Sequence, residues 1–124
     1  MQDFLPFAYF QNKFVPFDEA KISIATHALH YGTGAFGGLR GIPAPQDPQQ
    51  VLLFRLDCHC QRLSYSAKFL GYNLPAHQIK ETLIEFVKIN KPNTPFYIRP
   101  FVYTSGLGIA PRLHNIEKDF LFMG

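Results

Sequence analysis

The sequence predicts an α+β fold in which two main helices pack against a mostly antiparallel sheet, and three observations carry that prediction. The elements run as strands, then two adjacent helices, then strands, without the regular strand-helix-strand alternation of a parallel sheet. Ten prolines and nine glycines break the chain into short pieces, which favours strands and turns. The 124 residues, 47% apolar and 15% aromatic, suffice for one hydrophobic core and not for two.

Residues 7–16 read as two short strands around a turn at Gln11, Asn12 and Lys13. Ala28 to Ile42 is rich in glycine and aromatics, and Pro43, Pro45 and Pro48 close it off as a loop. Val51 to Leu56 is apolar enough for a strand. Asp57 is placed to cap a helix along which Leu56, Cys60, Leu63, Ala67 and Leu70 recur at helical spacing, until Gly71 stops it. A second helix starts near Pro75, buries Ile79, Leu83, Phe86 and Val87 on one stripe, and ends at Asn90, Pro92 and Asn93. Residues 95–104 form a strand with Tyr97, Arg99, Phe101 and Tyr103 on one face. Pro100 argues for an edge position or a local bulge in it. Residues 119–124 make a final strand.

The composition, with only 17% charged residues, excludes a disordered chain. No apolar run approaches the ~20 residues of a membrane span, and the start lacks a secretory leader; the expectation is a soluble, cytoplasmic protein with no membrane partner. Twelve basic against nine acidic residues give a net charge of +3. The basic residues are scattered, and Lys80, Lys88 and Lys91 are interleaved with Glu81 and Glu85 as on a solvated helix face, so nucleic acid is not an expected partner. Cys58 and Cys60 are too close to staple a fold, which points to a reducing compartment.

Several motifs need weighing. Gly32-Thr33-Gly34-Ala35-Phe36-Gly37 fits G-x-G-x-x-G, but Gly41, Pro43 and Pro45 forbid the helix that a dinucleotide fingerprint requires. Cys58-His59-Cys60 offers zinc-type ligands, yet neighbours on a helix diverge by about 100° and cannot converge on one ion. His27 and His30 read as structural hydrogen-bonding residues. Arg99, flanked by Tyr97 and Tyr103 on a strand face, is either stacked for packing or held ready for a carboxylate or phosphate.

The stretch from His27 to Arg40, His-Ala-Leu-His-Tyr-Gly-Thr-Gly-Ala-Phe-Gly-Gly-Leu-Arg, closely resembles the signature of branched-chain amino-acid aminotransferases, pyridoxal-phosphate enzymes of fold type four. Further blocks agree in order and spacing. Phe54 to Leu63, with Ser66-Ala-Lys68, is similar to the family's helix carrying a phosphate-binding arginine. Tyr97-Ile-Arg-Pro100 is similar to its substrate-side strand, Gly106 to Pro111 to the loop after it, and Phe14 to Lys21 to its opening. The D-amino-acid aminotransferases and aminodeoxychorismate lyases, which share the fold, lack the His-Ala-Leu-His-Tyr-Gly run.

The resemblance implies that Arg62 holds the cofactor phosphate, that Phe36 lines the pocket for the branched side chain, and that Gly38 leaves room for substrate beside it. Arg99, with Tyr97, would address a substrate carboxylate, notably the distal one of glutamate. Tyr31 and the Gly108-Ile109 loop would reach the neighbouring subunit's pocket in a homo-oligomer, and Arg40 would sit at the pocket rim. The fold implied is that of the family's small domain, with residues 1–124 as a single N-terminal domain. The substrates implied are Leu, Ile or Val and 2-oxoglutarate.

Three departures stand out. Gly37 replaces a usual glutamate and Gly106 a frequent aspartate. The family's Schiff-base lysine belongs to a second, larger domain, and none of the seven lysines here matches it. The chain alone is therefore expected to be inactive and not to retain the cofactor, since transamination needs that lysine as base and as cofactor anchor. The alternative expectation is a non-catalytic module that self-associates or binds a small anion through Arg62 and Arg99.

Overall fold

Gln11 and Asn12 both take positive φ, 53° and 63°, the two-residue reverse turn whose twist matches paired strands. In the computed structural model, which describes residues 4–108 and 116–124, this turn joins β1 (Phe7–Phe10) to β2 (Lys13–Pro16) with Phe7 opposite Pro16. A 3-10 turn at Phe17–Glu19 follows. A short helix, α1 (His27–Tyr31), is an addition to the sequence reading: five residues are too few for a periodic signal.

Then come β3 (Gly34–Phe36), β4 (Leu39–Ala44) and β5 (Asp47–Leu53). The stretch from Ala28 to Ile42, expected to be closed off as a loop by Pro43, Pro45 and Pro48, instead holds β3 and most of β4, and the prolines fall in a hairpin with Pro43 opposite Val51 and a register shift between Pro43 and Ala44. Proline is tolerated there because β4 pairs with β6 (Phe96–Thr104) only from Leu39 to Gly41. Beyond Gly41 one side of the strand carries no ladder among the described residues, and the slip absorbs the lost donor.

The sheet order is β2-β1-β7-β6-β4-β5, where β7 is Lys118–Met123, and β3 also pairs with β6. All described pairings are antiparallel. Pro100 thus lies in a central strand, not at an edge. Its carbonyl accepts the Gly37 N–H at 3.0 Å, and N and O of one strand residue point the same way. The missing donor therefore falls at the break between β3, which pairs up to Phe36, and β4, which pairs from Leu39.

Two longer helices cover one face: α2 (Leu56–Lys68) and α3 (Ala76–Asn90). Asp57 is not the cap of α2. Arg55 precedes the helix in the left-handed conformation, φ 53°, and Asp57 sits inside the first turn, where its carboxylate pairs with Lys80 Nζ of α3 at 2.8 Å. A carboxylate there still complements the helix dipole. Gly71, at φ 74°, lets the Tyr72 N–H return to the Ala67 carbonyl and end the helix. The predicted stripes are buried: Leu63, Ile79, Leu83 and Phe86 meet Ile98, Phe120 and Phe122 from the sheet.

Asn90, almost fully buried at the end of α3, ties that helix to β1. Its Oδ1 accepts the Phe7 N–H at 2.8 Å, while its Nδ2 donates to Phe7 O at 3.2 Å and Phe86 O at 2.9 Å. The side chain engages the two backbone atoms that a neighbouring strand would use. Asn90→Ala leaves both without that partner and is expected to cost about 2 kcal/mol, read as a lower urea midpoint at unchanged slope.

Alkaline pH tests the interior independently. Burial, reinforced by the negative charge of Asp119, pushes the Tyr103 hydroxyl up to about 12; burial, reinforced by Asp57, pushes the Cys60 thiol from 9.0 to about 11. Each group is neutral in its protonated form, which the fold prefers, so its contribution is complete below the unfolded value and lost as pH rises through the folded one. The urea midpoint should fall across the window from 9.0 to about 12. Tyr103→Phe should flatten the upper part of that fall.

Candidate functional site

The face of the sheet opposite α2 and α3 is built by β6. Alternation turns Ile98, Pro100 and Val102 inward, where they are buried, and leaves Tyr97, Arg99 and Phe101 on the outer side. Phe36 of β3 is opposite Phe101, and Arg40 of β4 is opposite Tyr97. The Arg99 guanidinium carbon lies 4.5 Å from the centroid of the Phe36 ring and 5.7 Å from that of Tyr97. Its Nε donates weakly to the Tyr97 hydroxyl at 3.4 Å. Cation–π stacking holds the planar head, while Arg99 itself stays exposed and no carboxylate pairs with it among the described residues. Phe36 is 61% exposed. An apolar ring and an available guanidinium therefore share one surface.

Gly38 lies under the same cluster. A Cβ at this position would run into the Tyr97 ring and hydroxyl, so the space that glycine opens is filled here by Tyr97. Glycine lets the aromatic ring lie against the β4 backbone.

A second group surrounds α1. His27 is fully buried, and its Nδ1 is 2.9 Å from the Thr33 hydroxyl and 3.0 Å from that of Thr104; the two hydroxyls also bond to each other. The His27 N–H donates to Gly106 O at 2.9 Å, and the Gly108 N–H to Ala25 O at 3.2 Å. The imidazole thus ties α1 to Thr33, just before β3, and to Thr104 at the end of β6, while the His27 backbone N–H adds the segment after β6. Tyr31 lies against the imidazole at a tilt of 41°, centroid to centroid 4.6 Å, and remains 37% exposed. His30 Nε2 meets the Ile24 carbonyl at 2.6 Å. Both histidines make hydrogen bonds within the fold. The threonine pair escaped that reading, because hydroxyls so far apart in sequence give no local signal. Gly108 is half-buried, while Ile109 lies outside the described residues.

The third group lies along the first half of α2, up to Arg62 at its middle. Arg62 is exposed, with its Nη2 3.2 Å from His59 Nδ1 one turn earlier. Burial, with the charges of Arg62 and Arg55 added, lowers the pKa of His59. Two guanidiniums near a neutral imidazole make a patch able to receive an anion, a phosphate above all. Cys58 is exposed and Cys60 buried, so the two thiols diverge as helical spacing requires. The structure therefore brings Phe36, Gly38, Arg40, Tyr97 and Arg99 together, and places Tyr31 with Gly108, and Arg62, in separate groups.

No protein-family model matches the chain. A probable branched-chain-amino-acid aminotransferase of Synechocystis is 69% identical over all 124 residues, which is 41% of that protein. The crystal structure of a branched-chain aminotransferase from the archaeon Thermoproteus uzoniensis, solved with norvaline, superposes on 95% of the chain with a TM-score of 0.83 at 27% identity, over 39% of its own length. That of the branched-chain amino acid aminotransferase of T.th., complexed with N-(5'-phosphopyridoxyl)-L-glutamate, covers 96% of the chain and 39% of its own, with a TM-score of 0.81 and 31% identity.

By sequence and by fold, the chain matches the N-terminal part of the branched-chain-amino-acid aminotransferases. It spans about two fifths of the length of these relatives. Seen within the branched-chain-amino-acid aminotransferase pattern, the two glycine departures differ in kind. Among the described residues a Cβ at Gly37 would meet nothing nearer than Pro100 Cγ at 3.9 Å, an ordinary contact, so the backbone there admits a side chain at its root. A Cβ at Gly106 would collide with the Ile116 side chain and press on the Glu117 backbone. An aspartate at that position needs a different path for the segment after β6.

Proposed function

We propose that the chain acts as the small N-terminal domain of a pyridoxal-phosphate-dependent transaminase that moves the amino group of leucine, isoleucine or valine to 2-oxoglutarate. The observation that carries the reading is the stack of Phe36, Arg99 and Tyr97. A transaminase with these two substrates must take an apolar side chain and a carboxylate side chain in turn. Phe36 offers the aromatic wall, and Arg99 offers a fork of donors at its edge. Tyr97 fixes the plane of that fork, Arg40 supplies charge beside it, and Gly38 keeps the backbone low beneath it.

Arg62, supported by Arg55 and His59, would hold the cofactor phosphate bidentately. Their charge and exposure suit that group. When bound, pyridoxal phosphate supplies the electron sink for amino-group transfer. The lysine that anchors it is expected in a second domain, because none of the seven lysines here matches the family position. Tyr31 and the Gly108-Ile109 segment would complete the pocket of a second subunit in a homodimer. Residues 1–124 then form one domain of a cytoplasmic enzyme. No helix among the described residues is long and apolar enough to cross a membrane.

The test joins the chain to the remaining part of its Synechocystis relative and adds the cofactor. Visible cofactor absorbance and leucine-dependent conversion of 2-oxoglutarate to glutamate are expected of the joined protein and not of the chain alone. A colourless joined protein that folds overturns the assignment. The Arg55, His59 and Arg62 patch also favours a second reading, a small-anion-binding module. In that case the chain alone would bind inorganic phosphate, and Arg62→Ala would abolish binding.

A further inference from the structure

Away from every residue assigned above, α3 and β5 leave a cleft of about 890 Å³ between them. The left-handed turn at Lys91 (φ 47°) ends α3, and Val51 and Leu53 on one side face Ile84 and Val87 on the other across the opening. The volume is that of a ligand pocket rather than a packing defect. Its charge is one-sided. Among the described residues Lys88 and Lys91 line it and no carboxylate does; the partner of Lys88, Glu85, is 3.6 Å away, in a pair whose two side chains are 68% and 61% exposed. So exposed a pair restrains neither group appreciably.

We infer that this cleft binds an amphiphilic carboxylate of medium chain length, its alkyl chain between Val51, Leu53, Ile84 and Val87 and its head between the ammonium groups of Lys88 and Lys91. Aliphatic walls recognise a chain without directionality, and two lysines select an anionic over a neutral head. The occupant is a free alkyl acid, and the site is separate from the proposed transamination site.

The test titrates decanoate, kept below its micelle-forming concentration, into the 124-residue chain and follows the methyl signals of Val51, Leu53, Ile84 and Val87. Saturable one-to-one binding is expected, tightening roughly fourfold for each methylene added from octanoate to decanoate. The double variant Lys88→Gln/Lys91→Gln should weaken decanoate binding about tenfold and leave decanol binding unchanged. Both positions are exposed, so that variant keeps the fold. Ile84→Trp, which fills the cleft, should abolish binding, with circular dichroism reporting whether it folds. Equal affinity for decanol and decanoate overturns the inference, as does unsaturable binding or signal changes centred on Phe36 and Tyr97. Because the chain is tested alone and at other residues, a negative result leaves the transaminase reading standing.

Discussion

Phe86→Ala is expected to destabilise the chain by about 3–5 kcal/mol, a large share of the total stability of a domain this size. Phe86 is fully buried on α3, its ring 5.8 Å from that of Phe122 at 69°. Truncation removes the transfer energy of the ring and leaves a void that neither a helix nor a central strand can collapse to fill. It also loosens the carbonyl to which Asn90 donates. Urea denaturation should show either a much lower midpoint or a chain already unfolded without denaturant. Phe69→Ala is the control. With Phe69 71% exposed, its midpoint should move by no more than about 0.5 kcal/mol equivalent.

Arg99→Gln, placed in the joined protein, should lower kcat/KM for 2-oxoglutarate and glutamate by about 10- to 100-fold while changing that for leucine only a few-fold. The guanidinium offers paired donors to a carboxylate, and glutamine retains length and polarity without charge or fork. Phe36→Ala should do the reverse, since it removes apolar wall and leaves the charge. Arg99→Lys should recover only part of the loss. Equal losses for both substrate classes in either variant would mean that the stack supports the sheet and does not discriminate side chains.

The two longer helices and the long strand were legible because their signals are local. Cys60, Leu63 and Ala67, and likewise Ile79, Leu83 and Phe86, repeat at helical spacing, and Tyr97, Arg99 and Phe101 alternate. What was not legible depends on partners distant in sequence. Alternation places Arg99 on a face, but only the pairing of Phe36 with Phe101 brings the Phe36 ring onto it. Pro100 suggested an edge or a local bulge because a single sequence does not show that β3 and β4 share one side of β6 and break just where the donor is missing. Asp57 suggested a cap, whereas the left-handed Arg55 moves the start of α2 and frees the carboxylate for Lys80. Phe36 and Arg62 emerged as site residues through the resemblance, not from their local pattern.

The place of β7 has a consequence for the order of events as the chain is made. β7 lies between β1 and β6, pairing Phe122 with Tyr9, and the Leu5 N–H donates to Gly124 O at 2.7 Å. The β1–β2 hairpin, made before β7, thus waits until Lys118–Met123 has been made before its inner edge is covered. Closing so long a loop carries an entropic cost before any contact rewards it, which slows folding. An apolar edge uncovered for that time invites pairing with other chains. A segment made early is enclosed late, and Phe7 to Phe10 stands open to other chains in the meantime.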